Sequence, residues 1–492
     1  MSSAESRQLT FVFADSPPGG KGAETSDASV GKAFLLHKAS VKEANDSAAR
    51  AVDDSKRLLE RAASVFNLAR ALLNVARNKG AAGVDGCSVE EVVDDAPQLL
   101  PKLRRELLSG AYRPGDIRRV WIPKPGGGQR GLGIPNVVDR VVQQALLQIL
   151  EPLFEPTFHD SSHGFRPHRG APTAIAEAKR HLEDGYVWTV DIDLSRFFDR
   201  VHHQRLLNRM AQQVEDGRIL KLVHRLLKAR VVLPGGTRTA TNEGTPQGGP
   251  LSPLLSNIVL DELDWELERR GLRFVRYADD FSVFVQSERA GRRVMNSIRK
   301  FIERRLRLMV NEDKSSVSGP IDLTFLGFHL SKSEDGSVAV AISERTKERM
   351  DARIHELTPR TWGRSLNACF GDLNRYLRGW IGYFRLCTED QLRPLHKFDA
   401  HIRRRLRAII IRQKKRPRHL YRHLIACDVP PRSAAHTAYQ RTGVWRRSVS
   451  SGIHKAYPNA WFATQLIMLT NQWHALNPTE RVSVKQQRLF DT

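Results

Sequence analysis

The stretch FVRYADDFSVFV, residues 274 to 285, places two carboxylates, Asp279 and Asp280, between apolar neighbours on both sides. A strand, a tight turn and a second strand accommodate them. Tyr277, Ala278, Asp279 and Asp280 then form the tip, while Phe274, Val275, Phe281, Val283 and Val285 root the hairpin in a core. Two ionised groups held side by side repel, and one is driven toward its neutral form unless a cation compensates. Buried without such a partner they are costly. Mg2+ supplies compensation through a few carboxylates plus phosphate oxygens rather than an all-protein cage. An Asp-Asp pair alone is commonly just a solvated turn. A second acidic pair changes the balance: Asp191 and Asp193, in VWTVDIDLSRFFDRV (187 to 201), stand two apart in an expected strand and so point to the same side. Together with Asp279 and Asp280 they offer ligands for two divalent ions about 4 Å apart, as polymerases and nucleases use. Spacing does not choose between Asp191 and Asp193, exclude Asp199 as a supporting member, or separate polymerase from nuclease.

The elements that must position these groups lie in a chain of 492 residues, long enough for two to four domains. It carries 78 Lys+Arg against 54 Asp+Glu, a net charge of +24, which points to a polyanionic partner. The surplus is uneven, with 14 Lys+Arg and a single acid, Asp428, in residues 401 to 450. Cys87, Cys369, Cys387 and Cys427 stand far apart with no Cys-x-x-Cys pair, against structural zinc or a disulfide framework and compatible with a reducing cytosol. No signal segment and no run of eighteen apolar residues is visible, so neither export nor a membrane span is expected.

Residues 1 to 40 read as a tail with little to pack. Leu58, Ala62, Val65, Ala69, Leu72 and Ala76 recur at steps of four and three, predicting one helix that stops at Asn78-Lys79-Gly80. IRRVWIPKPGGGQRGLGIP (117 to 135) reads as a basic hairpin, VVDRVVQQALLQILEPLF as a helix stopped near Pro152, and NEGTPQGGP (242 to 250) as a loop entering the helix LSPLLSNIVLDELDWEL. Beyond residue 345 the strand signal fades, and RYLRGWIGYF, HIRRRLRAIIIRQ and WFATQLIMLTNQW all read as helices. Alternating strands and helices predict an α+β or α/β domain, and the helices alone that follow predict a separate helical, basic domain.

YADD with TPQGGPLSPLLSNIVLDELD resembles the reverse transcriptases encoded by bacterial group II introns. NKGAAGVDG, IPKPGGGQRGLGIPNVVDRVVQQAL, HGFRPHRG, DIDLSRFFDRV, NEDKS and FLGFHL agree in order and spacing, and LNRYLRGWIGYFRL resembles the family's maturase or thumb domain. The resemblance spans roughly residues 55 to 470 and implies a right-hand polymerase of fingers and palm followed by an all-helical thumb/maturase domain. The expected division is a tail over 1–40, N-terminal extension and fingers over 41–180, palm with inserted fingers elements over 181–345, RNA-binding thumb/maturase over 346–475, and a tail over 476–492 without an HNH endonuclease.

The resemblance also implies roles. Asp193, Asp279 and Asp280 become the catalytic acids that hold two Mg2+ ions, helped by the Leu194 backbone, and Asp191 becomes a neighbour. Phe198 becomes a steric gate whose ring excludes a 2′-OH, a repulsive selection of dNTPs over rNTPs. Gly248 and Gly249 would admit template and incoming base against backbone, with Gln247 supporting that geometry. Arg118, Lys124 and Arg130 would contact the triphosphate. Relatives commonly read Arg-Pro-Leu-Gly-Ile-Pro where this chain has Arg130-Gly131-Leu132-Gly133, so the hairpin is expected to be looser. Nine basic residues within sixteen positions (Arg403, Arg404, Arg405, Arg407, Arg412, Lys414, Lys415, Arg416, Arg418) call for a phosphate counter-surface, and structured RNA fits it. Trp380, Tyr383 and Phe384 share a helix face and read as thumb core.

The function so implied is RNA-directed DNA polymerase and intron maturase. Its partners would be group II intron RNA, an RNA template with DNA primer, dNTPs and target DNA, with no membrane and the oligomeric state open. Its place would be the bacterial cytoplasm, and the nucleoid when bound to target DNA. Without an HNH motif, second-strand nicking should be absent and mobility should draw primers from elsewhere, such as replication forks. Two rivals stand beside this reading: a host-recruited enzyme of the same chemistry in DNA repair or phage defence, and an RNA-binding splicing factor with an inactive polymerase.

Overall fold

A four-stranded antiparallel sheet carries both acidic pairs. The computed structural model describes residues 57–123, 128–332, 336–359, 363 and 365–478. The tail over 1–40, Lys124 and the residues beyond 478 lie outside them. The sheet is formed by β3 (Trp188–Asp193), β6 (Arg273–Tyr277), β7 (Asp280–Val285) and β8 (Ser316–Ser318), in the order β6-β7-β3-β8. Val190, Ile192, Phe281, Val283 and Val285 are buried in the same core. A one-residue slip would turn every one of these side chains to the opposite face, so their burial fixes the register. That register places Asp193 opposite Asp280 and Asp191 opposite Ser282. Helix Glu288–Phe301 lies along β3, and at Gly291 an added Cβ would come within 2.7 Å of Val317 Cγ1.

A second sheet joins the hairpin β1 (Ile117–Pro123) and β2 (Gln129–Ile134) to short strands β4 (Val231–Val232) and β5 (Arg238–Thr239), in the order β2-β1-β4-β5. The hairpin is not loosened at Gly131. The ladder runs unbroken from Arg118↔Ile134 to Pro123↔Gln129, with Trp121 directly across from Gly131. Arg119 also donates to the Gly131 carbonyl at 3.0 Å. A side chain at 131 would strike the Arg119 guanidinium and the Trp121 ring, so glycine suits this position.

Around these sheets, helix α1 (Leu58–Ala62) and helix α2 (Val65–Arg77) replace the single helix that periodicity predicts. Ser64 interrupts them because its hydroxyl caps the second by accepting from the Asn67 amide. Helix α3 (Val137–Phe154) runs two residues past Pro152, which has no N–H to offer the Gln148 carbonyl four residues back.

The loop over 161–166 is tied to the helix Ala171–Glu183. Ser161 Oγ donates to Glu177 at 2.8 Å, and His163 Nε2 lies 2.7 Å from the other carboxylate oxygen. Burial raises the Glu177 pKa, but contacts from His163, His181 and Ser161 overcome it and hold the carboxyl well below the usual glutamate range. A depressed carboxyl contributes stability that is present above the unfolded pKa and is lost as pH falls through the folded one. Glu177→Gln should therefore lower stability by about 2 kcal/mol at pH 7. Thermal melts from pH 7 to pH 3 should show the gap to wild type narrowing once pH drops below about 4.

The described residues divide into two units between Ser318 and Gly319. The second unit contains a three-stranded sheet of β9 (Asp322–Phe325), β10 (Phe328–Lys332) and β11 (Val338–Ile342), in the order β11-β10-β9, followed by helices alone among the described residues. This sheet bonds to the helical segments: Thr388 N donates to Val340 O at 2.9 Å, Tyr383 Oη donates to Leu326 O at 3.1 Å, and Phe328 packs on Phe384. The Trp380 and Phe384 rings pack against each other at 4.6 Å, tilted by 35°, within the helical core. WFATQLIMLTNQW forms two helices, Asn459–Gln465 and Leu469–Leu476, because the Ile467 amide leaves the helical pattern to donate to Asn374 Oδ1 at 2.8 Å.

Candidate active site

Four carboxylates meet where β3 ends and the β6–β7 turn begins. Asp193 and Asp280 are direct cross-strand partners, and Tyr277 pairs with Asp280 to close the turn. Asp193 is partly exposed, and Lys314 Nζ stands 3.9 Å from its Oδ2. Its backbone is held on both sides, the amide by Ser315 Oγ at 3.1 Å and the carbonyl by the Asn311 amide at 2.8 Å. Asp191 faces inward and accepts from Ser282 Oγ; burial pushes its carboxyl up to about 6 against that hydrogen bond. Leu194, the next residue after Asp193, bridges to Val310.

Asp280, the first residue of β7, is exposed to solvent on one side while protein crowds it on the other. Its carboxyl is pushed up to about 7, first by desolvation, then by the charges of Asp191, Asp279 and Asp193. Asp279 is raised as well, first by desolvation, with its own backbone amide and the Arg130 charge opposing and Asp193 adding to the rise. Negative charge at this spot thus exceeds what neighbouring cations balance. Among the described residues no cluster of three or more His, Cys, Asp or Glu side chains is gathered tightly enough to enclose a metal ion. The donor set nevertheless fits Mg2+, a hard cation that takes one or two carboxylates and completes its shell with water and substrate phosphate.

Phe198 lies in the turn that follows β3, half-buried and edge-on to the buried Phe197 at 5.3 Å. Gln247 and Gly248 are brought to it by backbone bonds. The Thr245 amide donates to Phe198 O at 2.6 Å, the Gly244 amide to Val201 O at 2.8 Å, and the Gly133 amide on β2 to Gln247 O at 2.8 Å. Gly248 has φ +129, and a Cβ there would lie 2.6 Å from Gly133 O, so both the conformation and the space require glycine. Buried His203 lies 2.7 Å from Gly244 O. His203, Gly244 and Thr245 went unnoticed in the sequence, where only the glycine-rich loop itself gave a signal.

The hairpin's basic residues do not gather at one point. Arg118 and Arg130 share a face of the ladder but stand four rungs apart, since Arg130 pairs with Ile122, a separation of about 13 Å. Arg130 is exposed and lies within electrostatic reach of Asp279. Arg119, which sequence reasoning passed over, pairs with Asp199 at 3.7 Å and lies over the Trp121 ring at 5.6 Å. Asp199 itself is exposed.

The basic run 403–418 needs correction. Arg405 and Arg407 are buried and point into the helical unit. Arg405 donates to Thr358 Oγ1 and Thr358 O at 2.5 and 2.6 Å, and Arg407 to Tyr457 O at 2.8 and 3.1 Å. Arg403 and Arg404 are half-buried, the first against Met468 Sδ and the second over the Trp445 ring at 4.0 Å. Arg412, Lys415, Arg416 and Arg418 are exposed and Lys414 partly so, leaving them open to a phosphate surface. Arg407→Ala should cost about 3 kcal/mol by stranding buried carbonyls, visible as a lowered Tm. Arg416→Ala with Arg418→Ala should leave Tm unchanged and reduce the salt slope of RNA binding by about 1.5.

Residues 122–330 match the reverse transcriptase (RNA-dependent DNA polymerase) family, and residues 347–427 match the group II intron, maturase-specific domain. Protein YkfC of Escherichia coli (strain K12) is 35% identical over 338 residues, covering 60% of this chain and 88% of YkfC. Group II intron-encoded protein LtrA of Lactococcus lactis subsp. cremoris is 34% identical over 250 residues, covering 50% of this chain and 39% of LtrA. The mixed α+β part followed by a largely helical part, with four carboxylates at a strand end, belongs to a nucleotidyltransferase of the RNA-directed DNA polymerase class. The chain is a member of the group II intron-encoded reverse transcriptase/maturase family. Magnesium-dependent polymerisation and intron RNA as partner are the properties of that class. No helix among the described residues is long and apolar enough to cross a membrane.

Proposed function

We propose that this chain binds a group II intron RNA, assists its splicing and copies it into cDNA, with Asp193, Asp279 and Asp280 as the catalytic acids. The observation that carries the catalytic part is the pairing of Asp193 with Asp280 beside Asp279, at a point where desolvation and neighbouring negative charge raise the Asp279 and Asp280 carboxyls. Two Mg2+ ions would be held by these three side chains and the Leu194 backbone. When bound, they supply a lowered pKa for the primer 3′-OH and charge neutralisation at the triphosphate. A cation bound there would favour the ionised form of Asp280, whose carboxyl is raised first by desolvation and then by the charges of Asp191, Asp279 and Asp193.

The remaining chemistry belongs to the chain's own groups. The Phe198 ring excludes a 2′-OH, and the Gln247–Gly248 backbone bears on the base pair being formed. Arg130 and Arg118 meet triphosphate charge, Arg130 on the side near Asp279. In-line placement of an RNA-templated DNA primer end against a dNTP supplies much of the rate. Arg412, Lys414, Lys415, Arg416 and Arg418 grip intron RNA by its phosphates. We place the fingers within residues 41–180, the palm within 181–345 and the maturase within 346–475, and the protein in the cytoplasm, on the nucleoid when engaged with target DNA.

The test is to purify the full chain, sequence the RNA that accompanies it, and assay primer extension on an RNA template. Extension should require both dNTPs and Mg2+, cease with EDTA and return when Mg2+ is restored, and the accompanying RNA should be rich in one structured intron. Absence of any RNA-templated product, or accompanying RNA without such an intron, would overturn the corresponding half of the proposal.

A further inference from the structure

Beneath the acidic turn lies an ion pair that the chemistry above does not use. Arg276 and Asp264 are both fully buried. Asp264 lies on helix α4 (Ser252–Arg269), and its carboxylate takes two bonds from the guanidinium, Nε at 2.7 Å and Nη2 at 2.5 Å. Nη1 donates twice more, to Asn257 Oδ1 at 2.9 Å and to the Ala278 carbonyl at 2.9 Å. Ala278 immediately precedes Asp279 and has φ +60, a left-handed conformation that alanine does not favour unaided.

The loop carrying His163 closes the arrangement from the other side. The Arg276 amide donates to Ser161 O at 2.8 Å, and the His163 amide donates to Arg276 O at 2.9 Å. Asn257 Nδ2 donates to Gly164 O at 2.9 Å. At Gly164 an added Cβ would lie 2.3 Å from the Ala278 amide nitrogen, so the absence of a side chain lets the loop press against the turn.

A buried ion pair is weak grounds for stability, because well-packed apolar residues of similar volume commonly serve as well or better. What apolar residues cannot do is aim a donor at one carbonyl. We infer that Arg276, oriented by Asp264 and Asn257, is a positioning residue that holds Ala278 in its left-handed conformation and so sets the direction in which Asp279 and Asp280 leave the turn. Gly164 completes the clamp. This rests on the polymerase reading, because the turn matters to rate only if its acids do the chemistry.

The test uses the full chain in three variants: Arg276→Met with Asp264→Leu, Arg276→Lys, and Gly164→Ala. Tm, RNA affinity, kcat and dNTP KM are measured for each. The apolar double variant should melt within a few degrees of wild type and bind RNA equally, while kcat falls about 100-fold and dNTP KM stays within about threefold. Arg276→Lys keeps the charge beside Asp264 but loses the fork, and its kcat should fall at least about tenfold. Gly164→Ala should lower kcat without changing RNA affinity. A folded double variant with wild-type kcat would overturn the inference. Should the double variant fail to fold, wild-type kcat in Arg276→Lys would overturn it instead. Wild-type protein without RNA-templated extension would refute the polymerase reading itself, before any variant is compared.

Discussion

Asp279→Ala combined with Asp280→Ala is expected to lower RNA-templated primer extension by about 1000-fold or more, with intron RNA affinity unchanged. The two carboxylates are placed at a turn whose neighbours Ala278 and Phe281 are buried, and with Asp193 they bring negative charge together at the end of β3. The basic residues left open to RNA lie in the other unit, at Arg412, Lys415, Arg416 and Arg418, so binding has no reason to follow catalysis down. Stability should move the opposite way. The folded pKa of Asp280, near 7, stands above the ordinary aspartate value. A carboxyl raised in this way weakens the fold increasingly as pH climbs above the unfolded pKa, and fully once it passes the folded one. At pH 8 without divalent cations the double variant should therefore melt at or above the wild-type temperature. A lower Tm with lost RNA binding would assign the two aspartates to structure instead.

Phe198→Ala is expected to reduce discrimination between dNTPs and rNTPs by about 100-fold while dNTP incorporation stays within about tenfold of wild type. The ring is half-buried and held from behind by Phe197, while its own carbonyl is fixed by the Thr245 amide, so it has little freedom to move aside. A rigid wall selects by exclusion, and removing it admits the larger sugar without improving contacts to the smaller one. Phe197 provides the contrast. It is 2% exposed in the core, and Phe197→Ala should cost about 4 kcal/mol of stability. Steady-state kinetics with matched dNTP and rNTP pairs separate the two residues. Unaltered selectivity in Phe198→Ala would remove the gate.

The acidic group was legible because strand periodicity carries it: Asp191 and Asp193 two apart, and the Asp279–Asp280 pair bounded by apolar residues, leave few registers in which Val190, Ile192, Phe281 and Val283 are all buried. The clamp under the turn was not legible. Arg276 finds its partners 12 and 19 residues away on a helix, and Asn257 meets Gly164 across 93 residues, distances over which a lone arginine reads as surface. Charge counting failed in the same way at Arg405 and Arg407. Helix Arg393–Gln413 buries Ile402, Leu406, Ile409, Ile410 and Ile411, so apolar contacts surround most of its circumference and draw arginines inward with them. Once inside, those guanidiniums bind carbonyls at Thr358 and Tyr457 that no local pattern announces. The break at Ser64 was missed because apolar spacing continues across it, while a single hydroxyl cap decides where the second helix begins.

The most direct measurement is anomalous scattering from Mn2+ in crystals of the full chain with an RNA template, a DNA primer and an incoming dNTP. The expected result is manganese bonded at about 2.1 Å to carboxylate oxygens of Asp193 and of at least one of Asp279 and Asp280, and also touching the dNTP phosphates. Manganese bound to the phosphates with Asp193 uninvolved, or no peak between β3 and the β6–β7 turn, would contradict it.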